Sequence, residues 1–349
     1  MSTVIHLKLQ GNHMICKNQD VIYEGVYVYS NQRGVRKTAA IMPPAAPASW
    51  VSIYGSLTVT QVGKEYPNGG MNEAGLVVEQ TTLWQTEYPD PAGHPVLNEL
   101  QWIQYMLDTC RTVPEVLQAA SQLRIGQNTS KLHYVIADRT GDCTILEFVD
   151  GNMLVHREPL PLPVLANTPY LQAVEEIQAD TAAWPEWDDY ARNSMERILQ
   201  VTRQLDSLSA NEDVVDFGFD PLQARREDTI DFGFDLLQAA RREDTVFSLV
   251  YDQQQLTLHA CTARYPQRKL FRLADFDFAA GQPSHAADLQ LLGTGAAREQ
   301  FVPYSTEFNL RAVRGFFEDP LLTSVFQWQI SEEMIQFLGR YPENLEETK

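Results

Sequence analysis

The chain has 349 residues, 44% of them hydrophobic and 21% charged, an ordinary globular composition with enough length for a substantial core. Its formal net charge of −19 and pI near 4.7 argue against nucleic acid or an anionic membrane surface as partner, because phosphate binding needs a basic surface. No run approaches the roughly eighteen apolar residues of a membrane span, and the start has no charged segment followed by a long apolar one, so a cytoplasmic protein without a signal peptide is expected.

In chain order, residues 4–9 and 13–16 are short and apolar-rich around Gly11-Asn12, which predicts a β-hairpin at the very start. Residues 22–29 (IYEGVYVY) predict a strand, as do 51–61 and 75–83 (GLVVEQTTL), the last two joined across a turn-rich segment from Pro67 to Asn72. Leu97, Leu100, Ile103, Met106 and Leu107 recur at helical spacing, and Thr112 with Glu115 forms a capping box that opens a second helix. A β-meander follows at 132–138, 144–149 and 153–156. The stretch from 170 to 245 reads as helical and acidic, strands return at 246–251, 256–262 and 268–273, and the tail from 308 is helical. Antiparallel strands at both ends with helices grouped between them predict an α+β layered fold rather than a doubly wound parallel sheet.

Residues 215–229 (VDFGFDPLQARREDT) and 230–245 (IDFGFDLLQAARREDT) are a tandem duplication, too short for a solenoid, which needs three or more units. It reads as a local insertion. The second copy runs straight into the strand VFSLVYD and is expected to be the integrated one. The first, with Pro221, is expected to be the extra loop.

Cys16, Cys110, Cys143 and Cys261 form no CxxC pair, and the seven histidines show no HExxH or zinc-finger spacing, so neither a disulfide framework nor a metal or other cofactor is expected. Cys143-Thr144 and Cys261-Thr262 lie mid-chain at apparent strands and read as buried structural cysteines. Gly293-Thr294-Gly295 lacks the flanking strand and helix of a dinucleotide loop.

Six segments in order resemble the choloylglycine hydrolase (penicillin V acylase) family: Cys16-Lys17-Asn18-Gln19-Asp20, the stretch Asn31 to Lys37, Gly69-Gly70-Met71-Asn72-Glu73-Ala74-Gly75-Leu76-Val77-Val78-Glu79, Leu146-Glu147-Phe148 with Asp150-Gly151, Val164-Leu165-Ala166-Asn167-Thr168-Pro169, and Phe247 to Asp252. The resemblance implies one domain over residues 1–349 with a four-layer αββα sandwich of two antiparallel sheets flanked by helices. It also implies a homo-oligomer, commonly a tetramer, and hydrolysis of a linear N-acyl amide, a small-molecule substrate, by an N-terminal nucleophile.

In that mechanism one residue supplies both the attacking side chain and, through its free α-amino group, the base. By resemblance the nucleophile position is Ser2, where the family has Cys, so Met1 has to be removed. The resemblance further assigns Asp20 to anchoring the α-amino group, Lys17 to the place of an Arg beside the nucleophile, Asn167 to the scissile carbonyl, Thr82 to the oxyanion hole through its backbone N–H, and Arg197, with Arg192 as its rival, to a downstream active-site Arg. Three readings of Ser2 stand open: an engineered replacement of Cys, a natural serine enzyme, or a lapsed enzyme that keeps the fold to bind a ligand.

Overall fold

In the computed structural model, residues 1–179, 184, 186–210, 225–292 and 297–347 are described. The chain opens with the expected hairpin, Ser2–Leu9 against Asn12–Asp20. Its turn uses Gln10 and Gly11, both at positive φ (50° and 77°), the geometry that matches the twist of two paired strands. This hairpin is the centre of an antiparallel six-stranded sheet. Val164–Leu165 pairs outside the first strand. Thr245–Asp252, Thr257–Thr262 and Lys269–Arg272 follow beyond the second.

The second sheet has nine strands, in the order Asn152–Arg157, Cys143–Val149, Leu132–Ala137, Val77–Thr82, Gly69–Asn72, Ser56–Thr60, Tyr27–Asn31, His285–Asp288 and Val302–Pro303. A single apolar cluster joins the two sheets, with Val4 and Leu249 from the first and Val59, Met71, Val77 and Val135 from the second. The helix Arg226–Ala239 covers the outer face of the six-stranded sheet and packs on Asp189–Ala210. The helices Glu99–Thr109 and Val113–Gln122 cover the other outer face, around Trp102, Ile103 and Val116. Helix, sheet, sheet, helix is the predicted four-layer order. Burying both faces of each sheet also explains why so few strands show clean apolar–polar alternation.

Several boundaries differ from the sequence reading. Gly69–Asn72, expected as part of a turn, is an interior strand. Its glycines serve close approach rather than turning: a Cβ on Gly69 would come within 2.2 Å of the Glu79 carboxylate, and one on Gly70 within 2.6 Å of the Leu57 carbonyl oxygen. The expected strand 51–61 is two pieces in two different sheets, Ser49–Val51 and Ser56–Thr60. The strand expected at 22–29 is Tyr27–Asn31.

The duplication does not follow the element boundary. The helix Arg226–Ala239 takes its first turn from the end of the first copy and the rest from the second, then leads into Thr245–Asp252. Residues 211–224, including the Pro221 loop, lie outside the described residues, as does Gly293-Thr294-Gly295.

The substitution Gly70→Ala is expected to cost about 1–3 kcal/mol, because the clash is with backbone that cannot rotate away. Urea unfolding checks it, and an unchanged midpoint would remove close approach as the reason for glycine here.

Candidate active site

The segment Cys16 to Asp20 sits in a strand, so its side chains alternate between the two faces of the six-stranded sheet. Asn18 points to the helical side, where its Nδ2 donates to Leu237 O (2.7 Å) and its Oδ1 accepts from Ser248 (2.7 Å). Asp20 shares that parity. Thr245 donates to its Oδ1 (2.7 Å) at a bulge in the ladder. Its other oxygen, Oδ2, is buried, lacks a hydrogen-bond partner among the described residues, and lies 3.6 Å from Arg197 Nη1.

Lys17 and Gln19 point the other way, between the sheets. Lys17 Nζ is 3.3 Å from Glu79 of the opposite sheet and donates to Gln80 O. Tyr251 donates to the same carboxylate (2.7 Å). Burial pulls the Lys17 amine down and pushes the Glu79 carboxyl up, against their mutual attraction. Lys17's register partner is Val4, so it lies on the same face of the sheet as Ser2, one side-chain step along, with its ammonium paired to Glu79.

Ser2 opens the first strand, opposite Gln19, and is 1% exposed. Its backbone nitrogen donates to Asn167 Oδ1 (3.1 Å). Its single hydroxyl proton has two acceptors in reach, Met1 O (2.6 Å) and the more distant Gln19 Oε1 (3.2 Å). The Met1 amine donates to Asp20 O (2.8 Å), and burial holds it down at about 6, the nearby Asp20 charge offsetting this only in part.

Arg197, buried on the helix Asp189–Ala210, ties these parts together. Nη1 donates to Ser2 O (2.7 Å) and Thr3 Oγ1 (2.6 Å), and Nη2 donates to Asn167 Oδ1 (2.7 Å). Burial lowers it to about 10, so it stays charged at neutral pH. Asn167 completes the link, its Nδ2 donating to Thr82 O (2.8 Å). Ser2, Asp20, Asn167, Thr82 and Arg197 thus meet at one end of the sheets. Arg192, the rival, does not join them: it pairs with Asp189 (3.3 Å) and donates to Trp187 O.

Sequence reasoning missed the scaffold behind Asn167. Ser194 Oγ accepts from Asn167 N (2.8 Å) and Thr168 Oγ1 (2.8 Å). His133 and Thr81 share the Ala166 carbonyl, and His133 Nδ1 meets Glu147 at 3.0 Å. Burial raises Glu147, but hydrogen bonds from His133 and His156 outweigh it and hold the carboxyl at about 2. Leu146-Glu147-Phe148 had been noticed as a pattern, without its chemistry. The Asn72 of the glycine motif is likewise structural, with Nδ2 donating to Leu107 O and Cys110 O and Oδ1 accepting from Ala74 and Leu76 N–H.

Cys143 lies with His6 and Glu158, ligand-type atoms within 4.8 Å of one another, a composition suited to a cysteine nucleophile. Its thiol is fully buried, however, and burial pushes its pKa far up, which fits the structural reading.

In front of Gln19, Gln80 and Thr82 opens a cavity of about 380 Å³, in the range of small-molecule sites. No described helix is long and apolar enough to cross a membrane.

Two stacked antiparallel sheets between helices form a four-layer αββα sandwich, with residue 2 buried where a strand of the inner layers begins. The sequence model of the linear amide C-N hydrolases, choloylglycine hydrolase family, matches residues 10–208, more than half of the chain, and the chain belongs to that family. It is 29% identical over 162 residues to penicillin V acylase of Pectobacterium atrosepticum, a match covering 42% of this chain and 41% of that protein, so it spans about two fifths of that curated relative. Among solved structures, penicillin V acylase of Agrobacterium tumefaciens superposes with a TM-score of 0.72 at 20% identity, over 87% of this chain and 98% of the other. A variant of conjugated bile acid hydrolase from Clostridium perfringens gives 0.66 at 16% identity, over 84% and 99%.

If Lys17 is a structural ion-pair partner, Glu79→Ala should destabilise by about 3–5 kcal/mol by leaving a buried ammonium unpaired, while Lys17→Met with Glu79→Leu should cost far less. A double-mutant cycle in urea checks this; additive losses would contradict it.

Proposed function

We propose that this chain hydrolyses linear N-acyl amides, with residue 2 as nucleophile once Met1 is removed. The observation that carries the reading is the meeting of Ser2 nitrogen, Asn167, Arg197 and the open oxygen of Asp20 at one buried point beside the cavity. The amide-hydrolase relatives support it at the level of reaction class.

With Met1 attached, the Ser2 nitrogen is a peptide amide without basicity, and the hydroxyl is occupied by Met1 O. Cleavage of the Met1–Ser2 bond leaves an amine at the same place. Asn167 Oδ1 already accepts from this nitrogen, and the Asp20 carboxylate across from Arg197 is the anion of the corner assigned to anchoring the amine. Ser2 Oγ then attacks the acyl carbon while the amine takes the hydroxyl proton. The tetrahedral oxyanion is met by the backbone N–H of Thr82. Collapse breaks the C–N bond, the leaving amine takes the proton, and an acyl ester on Ser2 remains. Water, deprotonated by the Ser2 α-amine, then attacks the ester, and the amine returns the proton to Ser2 Oγ as the acid leaves. Arg197 and Asn167 hold the first strand in register for these steps, and Lys17 supports it from the inter-sheet side. A homo-oligomer, by family resemblance a tetramer, is part of this reading, with sedimentation as its check.

Activity is expected to rise with pH as the amine loses its proton, since only the neutral form is a base. Burial lowers the Met1 amine that occupies this corner, and the same desolvation acts on the Ser2 amine once Met1 is gone, so the ascending limb of kcat/KM should have its midpoint below the ordinary value near 8. A midpoint at or above 8 would contradict the buried-amine assignment.

The function itself is tested with Ser2→Cys and Ser2→Ala against N-acyl amides. The Cys form is expected to be the faster, because a thiol is the better nucleophile near neutral pH, and the Ala form inactive. Activity of the Cys form alone would mark Ser2 as a disabling change on a hydrolase scaffold; inert Ser and Cys forms, both with Met1 removed, would contradict the reading.

A further inference from the structure

Resting on the hydrolase reading, the cavity in front of residue 2 has two unlike ends. The end near Ser2 is amide and hydroxyl chemistry from Gln19, Gln80 and Thr82. The far wall comes from the C-terminal helices Thr306–Phe317, Pro320–Phe326 and Glu332–Arg340 and the link between the last two, and it is apolar: Phe316, Phe317, Phe326, Trp328, Met334 and Phe337.

This wall is fixed rather than loosely draped. Phe326 and Trp328 stack with centroids 4.9 Å apart and planes 8° from parallel, and Trp328 Nε1 donates to Phe317 O (3.1 Å). Asp319 caps the short helix through Leu321 N and Leu322 N. Arg314 joins the two longer helices through Glu332 (2.6 Å).

Two further observations constrain what the cavity takes. Among the described lining residues, Glu99 is the one acid and there is no Lys or Arg. The Glu99 carboxylate already accepts from Thr129 N, Thr129 Oγ1 and Ser130 N. A carboxylate or sulfonate placed against the apolar wall would lose its hydration without gaining a counter-charge, so the part of the substrate that lies along that wall is uncharged. The apolar lining also runs out to solvent: Met42 is 52% exposed, Phe326 46%, Phe337 39% and Met334 38%. A compact acyl group would leave that rim wet. An extended one covers it.

We propose that the C-terminal helices are the acyl-selectivity element of this chain, with the Phe326–Trp328 stack gauging the length of an uncharged, extended fatty-acyl chain on the substrate. Each methylene added to the acyl chain is then transferred from water to an apolar wall, which corresponds to about a threefold to fourfold gain in kcat/KM until the wall is covered.

The test uses the full chain with Met1 removed and N-acylglycines of increasing acyl length, with phenoxyacetylglycine as the compact comparison, alongside calorimetric binding of dodecanoate. The wild type is expected to show the stepwise rise with length and to bind dodecanoate. Trp328→Ala is expected to flatten the rise and weaken dodecanoate at least tenfold, and Trp328→Phe to restore most of both. A folded Trp328→Ala protein with an unchanged length profile and unchanged dodecanoate affinity would overturn the proposal, as would a wild type that prefers phenoxyacetylglycine; either leaves the hydrolase reading standing. Dodecanoate binding that depends on Trp328, without cleavage of any amide, would uphold the wall's role in binding acyl chains and sink the hydrolase reading instead.

Discussion

A guanidinium buried where the first strand begins is the interaction on which the arrangement of the site depends. Arg197 reaches from a helix on the outer face of the six-stranded sheet to the Ser2 carbonyl, the Thr3 hydroxyl and the Asn167 amide oxygen, with the Asp20 carboxylate beside it. Removing such a charge from water is costly, and it is tolerable only because several acceptors surround it. Satisfying Arg197 therefore fixes the spacing between the end of the first strand, the loop after Val164–Leu165 and the end of the second strand. The backbone of residue 2 is held before any substrate arrives, which is the preorganisation that the proposed mechanism requires.

The second constraint lies between the sheets. Lys17 and Glu79, one from each sheet, pair in the apolar interior and set how the layers sit over each other close to residue 2. A buried pair is a poor source of net stability but a strict one for register, since any slip leaves a charge unpaired. The glycines facing Glu79 and Leu57 make room for this approach, so the glycine-rich motif and the Lys17 segment are two sides of one packing requirement.

Much of this was legible in the sequence because it is local. The opening hairpin follows from apolar runs around a glycine turn, but its second strand runs on from the expected 13–16 to Asp20, and that extension sets Lys17 and Gln19 on one face and Asn18 and Asp20 on the other. Asn167 and Asp20 stood out through the order of their motifs. What stayed hidden was long-range. Nothing near Lys17 in the chain announces Glu79, and nothing near His133 announces the Ala166 carbonyl that it helps to hold. Gly69 and Gly70 pointed to a turn because a glycine needed for room and a glycine needed for positive φ read alike. Arg197 and Arg192 could not be told apart by helix pattern; burial and partners separate them. The apolar far wall of the cavity read from the sequence only as one face of a tail helix.

The proposed nucleophile, residue 2 freed of Met1, must carry the covalent acyl intermediate. Intact mass spectrometry on the Ser2→Cys protein, quenched in acid during turnover of an N-acyl amide, detects it. The expected species is a chain lacking Met1 that gains the mass of one acyl group, with the adduct on the N-terminal peptide. Turnover by a chain that retains Met1, or an adduct mapped to Cys143, Cys261 or any other residue, would contradict it.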